Sequence, residues 1–335
     1  MHLRLFALLA GALLASACSA AKPSGSESSE PSQETWENGK TLTSSVDIGP
    51  NETVTIAAGA TIQANAGVTI TVEGKLVAAG GAEATIAGTS ATATWGGIVV
   101  AEGGTLSLTN VDLTNAASGA ITVNAGAASA SYDSGTITAS NAPFTVEAGG
   151  KLTTAHATVK GSLGTSHIQG EIDASYLDYD ANGNDGITAE DDVAVVSIDD
   201  SELHGISGQT GDMVVSYLGA QKIHVAYTEI KNVHCAFHIE RMMSLDVSYV
   251  NATGDSYGFM LYGSLDQGTR TVTAMNIDGE LEWGIDEEDG DINGPISITN
   301  CYIANNAWGD VHLQSASNIS VTDPAAAAIA DAHPR

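Results

Sequence analysis

Short runs in which apolar and small polar residues alternate occupy most of the chain, and these runs recur at a fixed spacing. Ile98, Ile121 and Phe144 lie 23 residues apart, and a glycine follows each of them after five residues. Strict alternation predicts strands with one buried face, and self-similarity at a period of about 20–50 residues is typical of solenoids. The pattern therefore predicts an all-β, single-stranded parallel β-helix with about 23 residues per coil.

The N-terminal segment has a different pattern. Residues 1–17 carry one early arginine, an apolar stretch and a small-residue end, which predicts a signal peptide. The stretch Leu14-Ala15-Ser16-Ala17-Cys18 resembles the lipobox of bacterial lipoproteins, although that pattern more commonly has Leu three residues before the Cys. The resemblance implies that Cys18 carries a lipid that anchors the protein in the membrane. Because Ser19 follows Cys18, it also implies an outer-membrane lipoprotein.

The composition divides the remaining chain into a tether, a body and a tail. Residues 18–45 are rich in Ser, Glu, Pro and Lys, and we expect a disordered lipid-anchored tether. The β-helix is expected over 46–322, with bland scaffold coils at 46–165 and acidic coils bearing most of the aromatic residues at 166–322. Residues 323–335 begin Asp-Pro and then become Ala-rich, which fits a short capping helix or a frayed tail.

The charge is strongly acidic. The net charge is −29, and 28 of the 40 acidic residues lie between Glu171 and Asp331. This charge disfavours nucleic acid as a partner, because phosphates would be repelled. Besides Cys18 the chain has Cys235 and Cys301, which we expect to be buried and unpaired, since the repeat places them in different coils.

At the level of architecture the chain resembles right-handed parallel β-helix proteins of the pectin-lyase-like class, in a bacterial lipoprotein form. The resemblance covers about residues 46–322 and rests on the repeat, not on a catalytic signature. It implies two alternatives: a carbohydrate-binding surface protein, or a calcium-assisted polysaccharide lyase or glycoside hydrolase.

A candidate calcium loop lies at the start of the acidic half. Asp178, Asp180, Asn182, Asn184 and Asp191 place oxygen ligands at a spacing that resembles a calcium-binding loop. An aspartate takes the position that such loops reserve for glycine, and no flanking helices are predicted. An acidic turn between coils is the alternative. The second acidic run, from Glu280 to Asp291, is interpreted first as a solvated loop.

Candidate catalytic residues come from aligning the later coils. The alignment places His224, Asp246, Thr273, Ser297 and Ser320 in one outward-facing row, so that His224 and Asp246 are neighbours. Such a pair has the groups needed for acid–base chemistry, and we expect Arg241 to approach it from a loop. Surface histidines without a catalytic role are the simpler interpretation, and it extends to His234 and His238.

Three functional hypotheses follow. The first is a non-catalytic, lipid-anchored surface protein that uses stacked aromatic residues such as Tyr227 and Tyr249 to bind a polysaccharide or a surface protein, with Ca²⁺ as a possible cofactor. The second is the lyase or hydrolase acting through His224, Asp246 and Arg241. The third is a purely structural envelope component whose coils stack end to end.

Overall fold

The computed structural model describes residues 31–90, 92–206, 211–262, 268–288, 294–314, 317–325, 327–329, 332 and 334. All of them belong to one compact unit, Pro31–Arg335. The predicted signal peptide and Cys18 lie outside the described residues. Within the described ranges, no helix has the length and apolar character needed to cross a membrane.

The regular secondary structure of the described residues consists of strands, which are connected by turns. Each coil of the solenoid contributes about three strands. The first eighteen are β1 (Ser32–Trp36), β2 (Thr41–Leu42), β3 (Val46–Ile48), β4 (Glu52–Ile56), β5 (Thr61–Ala64), β6 (Thr69–Val72), β7 (Lys75–Gly88), β8 (Gly97–Val100), β9 (Thr105–Thr114), β10 (Gly119–Val123), β11 (Ser129–Asp133), β12 (Thr136–Thr138), β13 (Ala142–Val146), β14 (Lys151–Ala155), β15 (Thr158–Lys160), β16 (Ser166–Ile168), β17 (Glu171–Ser175) and β18 (Asp178–Asp180).

The acidic half continues the same order. Its strands are β19 (Ile187–Glu190), β20 (Val195–Asp199), β21 (Glu202–His204), β22 (Val214–Gly219), β23 (Lys222–Ala226), β24 (Glu229–Lys231), β25 (Cys235–Ile239), β26 (Ser244–Ser248), β27 (Asn251–Thr253), β28 (Tyr257–Leu261), β29 (Arg270–Thr273), β30 (Asn276–Asp278), β31 (Trp283–Glu287), β32 (Ile296–Thr299), β33 (Tyr302–Ala304), β34 (Gly309–His312) and β35 (Ile319–Thr322).

These strands build two long parallel sheets. Twelve form what we call the second sheet, in the order β3-β6-β8-β10-β13-β16-β19-β22-β25-β28-β31-β34, and the other strands form the first sheet. Every strand-to-strand pairing is parallel and links one coil to the next. The result is a parallel β-solenoid of about 11 turns with roughly 24 residues each, which confirms the predicted fold class.

The 23-residue repeat in the sequence corresponds to the register of strand pairing in the second sheet. Ile98 pairs with Ile121 and Ile121 pairs with Phe144, as the 23-residue spacing predicts. All three side chains are fully buried in the bore, where each stacks on its equivalent in the next coil. Burial of these stacked columns of apolar side chains stabilises the packing of each coil on the next.

The repeated glycine makes a turn that other residues adopt less readily. Gly103, Gly126 and Gly149 have φ values of 76°, 73° and 82°. The N–H of Gly103 donates to the carbonyl of Gly126 at 2.8 Å, so the turn also links adjacent coils. Glycine adopts this left-handed backbone without the strain that a Cβ would add.

The solenoid begins earlier than the predicted boundary at Val46. Strand β1 starts at Ser32 and pairs along its whole length with β4, and Trp36 at its end is fully buried. The prediction of a tether up to residue 45 therefore needs correction for its last fourteen residues. Composition misled here because β1 is ordered by backbone pairing and by one buried tryptophan, not by an apolar face.

The alignment of the later coils also needs correction. His224 does pair with Asp246, but Asp246 pairs with Thr271, so the predicted row contains Thr271 and not Thr273. The shift arises because Arg270 occupies an inward position opposite Leu245 and is only 2% exposed. Its guanidinium donates to the carbonyl of Met242, with an Nη2 to O distance of 2.7 Å. A charged residue at a bore position breaks the alternation used for the alignment.

The C-terminal segment runs back along the solenoid. The N–H of Ala325 donates to the carbonyl of Cys301, and the side chain of Asn276, one coil earlier, bonds both to the N–H of Ile329 at 2.7 Å and to its carbonyl at 3.0 Å. The described residues of this segment form no helix.

Candidate binding site on the outer face of the second sheet

The last coils of the second sheet place a row of functional side chains on the outside of the solenoid. Phe237, Phe259 and Ile285 occupy equivalent positions on β25, β28 and β31, and all three point into the bore. Because side chains alternate along a strand, the next residue in each strand faces outward. The outward row, in coil order, is Val215, His238, Met260, Asp286 and His312.

Asp212 is the centre of a polar cluster at the start of this row. Its Oδ1 lies 2.8 Å from Nδ1 of His234, and its Oδ2 lies 2.7 Å from Nδ1 of His238. The backbone N–H of Cys235 also donates to Oδ1, at 3.1 Å. Asp212, His234, Cys235 and His238 are called the Asp212 cluster below.

The electrostatics of the cluster favour an ionised Asp212. Burial alone would raise the pKa of Asp212, but the hydrogen bonds from His234 and His238 outweigh it and hold that pKa well below its ordinary value. In return, the hydrogen bond to Asp212 raises the pKa of His234 despite partial burial. Perturbed pairs of this kind gather at functional sites more often than elsewhere.

The two cysteines in the body are buried and free, as predicted. The Sγ atom of Cys235 lies 3.3 Å from Nδ1 of His234 and 3.9 Å from the sulfur of Met260. Cys301 is on the other side of the coil and contacts the carbonyls of Val272 and Thr299. Burial raises the pKa of both thiols.

A second apolar cluster covers the Asp212 cluster from outside the bore. Cys235, Tyr257 and Met260 are buried together, and Tyr262 and Trp283 pack against them while remaining half-buried. We call these five residues the outer-face cluster. Most outward positions on other coils carry Thr, Ser or charged residues, so an aromatic cluster here is a distinct feature of the C-terminal coils.

Histidine rings extend the aromatic surface. His238 stacks on Tyr262 with ring centroids 5.0 Å apart and receives the edge of Tyr217 at 4.8 Å. Three coils later along the row, His312 stacks on Trp283 with ring centroids 4.9 Å apart. The aromatic contacts therefore span several consecutive coils.

Carboxylates form the rim of the outer-face cluster. The hydroxyl of Tyr257 donates to Glu282, and Oδ1 of Asp286 lies 2.7 Å from Nδ1 of His312. Burial, followed by the charge of Asp286, raises the pKa of Glu288. Glu240 stands at 3.5 Å from Nε2 of His238. The site thus combines apolar faces with several hydrogen-bond acceptors.

The acidic run from Glu280 is not a solvated loop where the structure describes it. Glu280, Asp286 and Glu287 are at most 3% exposed, because Asp286 and Glu287 belong to β31 and Glu280 caps the preceding coil. The interpretation as a solvated loop is wrong for these residues. Residues 289–291 lie outside the described residues.

Glu280 and Asp255 form a buried acidic pair beneath this site. Oδ1 of Asp255 accepts the N–H of Val233 at 3.0 Å, and Oε2 of Glu280 accepts the N–H of Asp255 at 2.7 Å. The same type of side-chain to backbone hydrogen bond links the next coil, where Oδ1 of Asn306 accepts the N–H of Glu280 at 3.0 Å. Each side chain therefore satisfies a backbone group of the coil before it.

The predicted catalytic pair is assembled on the first sheet. His224 lies between Asp246, at 2.9 Å from Nδ1, and Asp199, at 3.3 Å from Nε2. The hydrogen bond to Asp199 is the largest cause that raises the pKa of His224. Arg241 lies in the turn that follows β25 of the second sheet, and its side chain is exposed.

The predicted calcium ligands are split between a strand and two turns. Asp178 and Asp180 point outward from β18, and Asp178 lies 3.2 Å from His204. The amides of Asn182 and Asn184 both donate to the carbonyl of Ser162 at 3.1 Å, which gives them a role in linking coils. Asp191 follows β19 and accepts the N–H of Val193. Calcium binding there stays a prediction.

The predicted ligand-binding tyrosines stack on each other at a corner of the first sheet. The rings of Tyr227 and Tyr249 are 4.8 Å apart at their centroids and 6° from parallel. Their backbones occupy the left-handed region, with φ of 48° and 55°. This corner is distinct from the outer-face cluster.

Comparison of the chain with family models, curated proteins and solved structures finds no match. The fold and the geometry of the site therefore carry the functional argument.

Proposed function

We propose that the protein is a non-catalytic, lipid-anchored surface protein of the bacterial cell envelope that binds an extended glycan. The N-terminal resemblance to lipoproteins supports the anchor at Cys18 and an outer-membrane location, and the resemblance of the repeat to pectin-lyase-like β-helices favours a carbohydrate ligand by analogy of fold. The bland coils would then hold the binding coils away from the membrane.

The outer-face cluster is the observation that carries the proposal. An apolar patch outside the bore, rimmed by polar groups, is typical of a ligand or partner surface. Tyr262 and Trp283 offer half-exposed ring faces for sugar rings, and Trp308, in the next coil, is 62% exposed. Glu282 and Glu240 supply acceptors for sugar hydroxyls.

The geometry of a solenoid suits a polymeric ligand. Equivalent side chains of adjacent coils repeat about every 4.8 Å along the axis, so a chain of sugars lying along the row meets similar groups several times. The acidic rim disfavours an anionic glycan, because its charges would be repelled. We therefore expect a neutral polysaccharide, or an anionic one only when Ca²⁺ is present.

Hydrolysis is a second candidate, and one observation favours it. The side chains of Asp286 and Glu288 interact, and this interaction contributes, after burial, to the raised pKa of Glu288. Asp286 is also within hydrogen-bond distance of His312. A carboxyl group with a raised pKa beside a second carboxylate is one element of glycoside hydrolase sites. Shortening of a polysaccharide by the wild-type chain would favour this candidate.

The test is binding of the purified chain to neutral and uronate polysaccharides, with Ca²⁺ and with chelator, while the length of the polymer is followed. Tyr262→Ala and Trp283→Ala should each weaken binding at least tenfold, and Tyr227→Ala and Tyr249→Ala serve as matched aromatic controls. Loss only in the corner variants would move the binding surface to that corner. Equal binding by all variants would contradict the proposal.

A further inference from the structure

We propose that the Asp212 cluster is a binding site for a zinc-class transition-metal ion, with Asp212, His234, Cys235 and His238 as its ligands. The inference does not depend on glycan binding. It also concerns a different place from the predicted calcium loop, whose ligands are all oxygens.

The donor atoms already lie close together. Ligand atoms of Asp212, Cys235 and His238 are all within 4.8 Å of one another, and they form the one such group of acidic, histidine and cysteine side chains found in the described ranges. Nδ1 of His234, which is not a member of that group, lies 2.8 Å from Asp212 and 3.3 Å from the sulfur of Cys235 and would be the fourth donor. The four donors come from two adjacent coils.

The spacing suits a tetrahedral ion after a small expansion. Zinc bonds of about 2.0–2.3 Å place neighbouring ligand atoms about 3.3–3.8 Å apart in a tetrahedron. The hydrogen-bonded pairs here, at 2.7 and 2.8 Å, would open by roughly 0.5–1 Å as the ion replaces the shared protons. We expect rotation of the ligand side chains to accommodate a change of this size.

The chemistry of the donors selects the class of metal. Thiolate, imidazole and carboxylate are the ligands of zinc and related ions, whereas Ca²⁺ and Mg²⁺ take oxygen ligands. A carboxylate at Asp212 and a thiolate at Cys235, formed as the metal ion displaces the thiol proton, would together carry two negative charges, which match a divalent cation. The sulfur of Met260 lies 3.9 Å from that of Cys235 and places a polarizable thioether on the outer side of the site.

The surroundings of His238 are a second observation that points to a metal. Its Nδ1 faces Asp212, and its buried Nε2 faces Glu240 at 3.5 Å without a hydrogen bond to any described residue. A neutral imidazole has only one N–H and cannot satisfy two carboxylates. A metal ion on Nδ1 would leave the proton on Nε2, directed at Glu240, and so both contacts become favourable.

Outer groups already orient the ligands as metal sites require. The hydroxyl of Tyr217 reaches both Asp212 and Asp185 at 3.3 Å, and Asp185 accepts the N–H of Asp212 at 3.0 Å. Tyr262 stacks on the ring of His238 and restricts its rotation. Such supporting contacts fix ligand orientation and raise metal affinity.

The test is titration of the full chain, reduced and stripped of metal, with Co²⁺ followed by Zn²⁺. We expect one Co²⁺ per chain, a thiolate-to-cobalt charge-transfer band in the near ultraviolet, and its loss when one equivalent of Zn²⁺ displaces the cobalt. Ca²⁺ added in excess should leave the band unchanged.

Variants locate the site. Cys235→Ser should abolish the charge-transfer band, while Cys301→Ser, which changes the other buried thiol, should retain it. His234→Gln, at a half-buried position, should weaken Co²⁺ binding at least tenfold and keeps the test decisive if Cys235→Ser does not fold. A missing band in the wild type, or an unchanged band and affinity in His234→Gln, would overturn the proposal.

Discussion

The buried pair Asp255–Glu280 should make the protein less stable as pH rises through neutrality. Burial raises the pKa of Glu280 to about 7, and the charge of Asp278 adds to the effect, although the hydrogen bond from the N–H of Asp255 opposes it. Burial followed by the charge of Glu280 also raises the pKa of Asp255. Each carboxyl group has one buried oxygen without a hydrogen-bond partner in the described ranges, where a proton can add without displacing an existing bond.

The direction in which the free energy of unfolding changes with pH follows from proton linkage. Between the ordinary glutamate pKa of about 4.5 and the folded value of about 7, the folded chain holds a proton at Glu280 that the unfolded chain has lost. The free energy of unfolding therefore falls as pH rises through this window. A shift of that size corresponds to about 3 kcal/mol, lost by roughly pH 8.

Urea denaturation between pH 4.5 and 8.5 measures this dependence. Glu280→Gln mimics the protonated acid, so its stability should change less across the window than that of the wild type, by up to about 3 kcal/mol. Glu102→Gln, at an exposed turn, is the control and should keep the wild-type slope. Equal slopes for the wild type and Glu280→Gln would refute the reasoning.

Three further predictions concern the core, the C-terminal segment and the anchor. Ile121→Ala should lower the free energy of unfolding by about 2–5 kcal/mol in urea denaturation. The control Thr122→Ala, at an outward position, should lower it by under about 1 kcal/mol. Similar losses in the two variants would contradict the assignment of Ile121 to the bore. Asn276→Ala should speed proteolysis near Ile329, because the two hydrogen bonds between the Asn276 side chain and the Ile329 backbone are lost; an unchanged cleavage rate would contradict that role. Cys18→Ser should abolish labelling by radioactive palmitate in cells, and persistent labelling would exclude Cys18 as the lipid site.

The scaffold half could be predicted from sequence because each coil obeys the same rule. Ile98, Ile121 and Phe144 fill equivalent bore positions, so a constant spacing in the sequence is a constant register in the structure. The rule fails at Arg270, where a charged side chain takes a bore position and shifts the alignment by two residues. It also fails at β1, which is ordered by pairing and not by an apolar face.

The candidate site was only partly predictable. His224 and Asp246 were correctly predicted as neighbours, because they follow apolar positions in regular coils. His234 and His238 were interpreted as surface histidines, yet His234 just before β25 and His238 within β25 both face Asp212. Asp212 lies 22 residues before His234, which is one coil, so a search for polar residues at the coil period could have found the Asp212 cluster.

Covalent footprinting of the chain, with and without the polysaccharide that binds it most tightly, tests whether the outer-face cluster holds a glycan. We expect Tyr262 and Trp283 to become protected when the polymer binds, while Tyr227 and Tyr249 keep their reactivity. Protection confined to the corner tyrosines, or no protection of any aromatic residue at saturating polymer, would contradict a glycan-binding surface on the outer face of the second sheet.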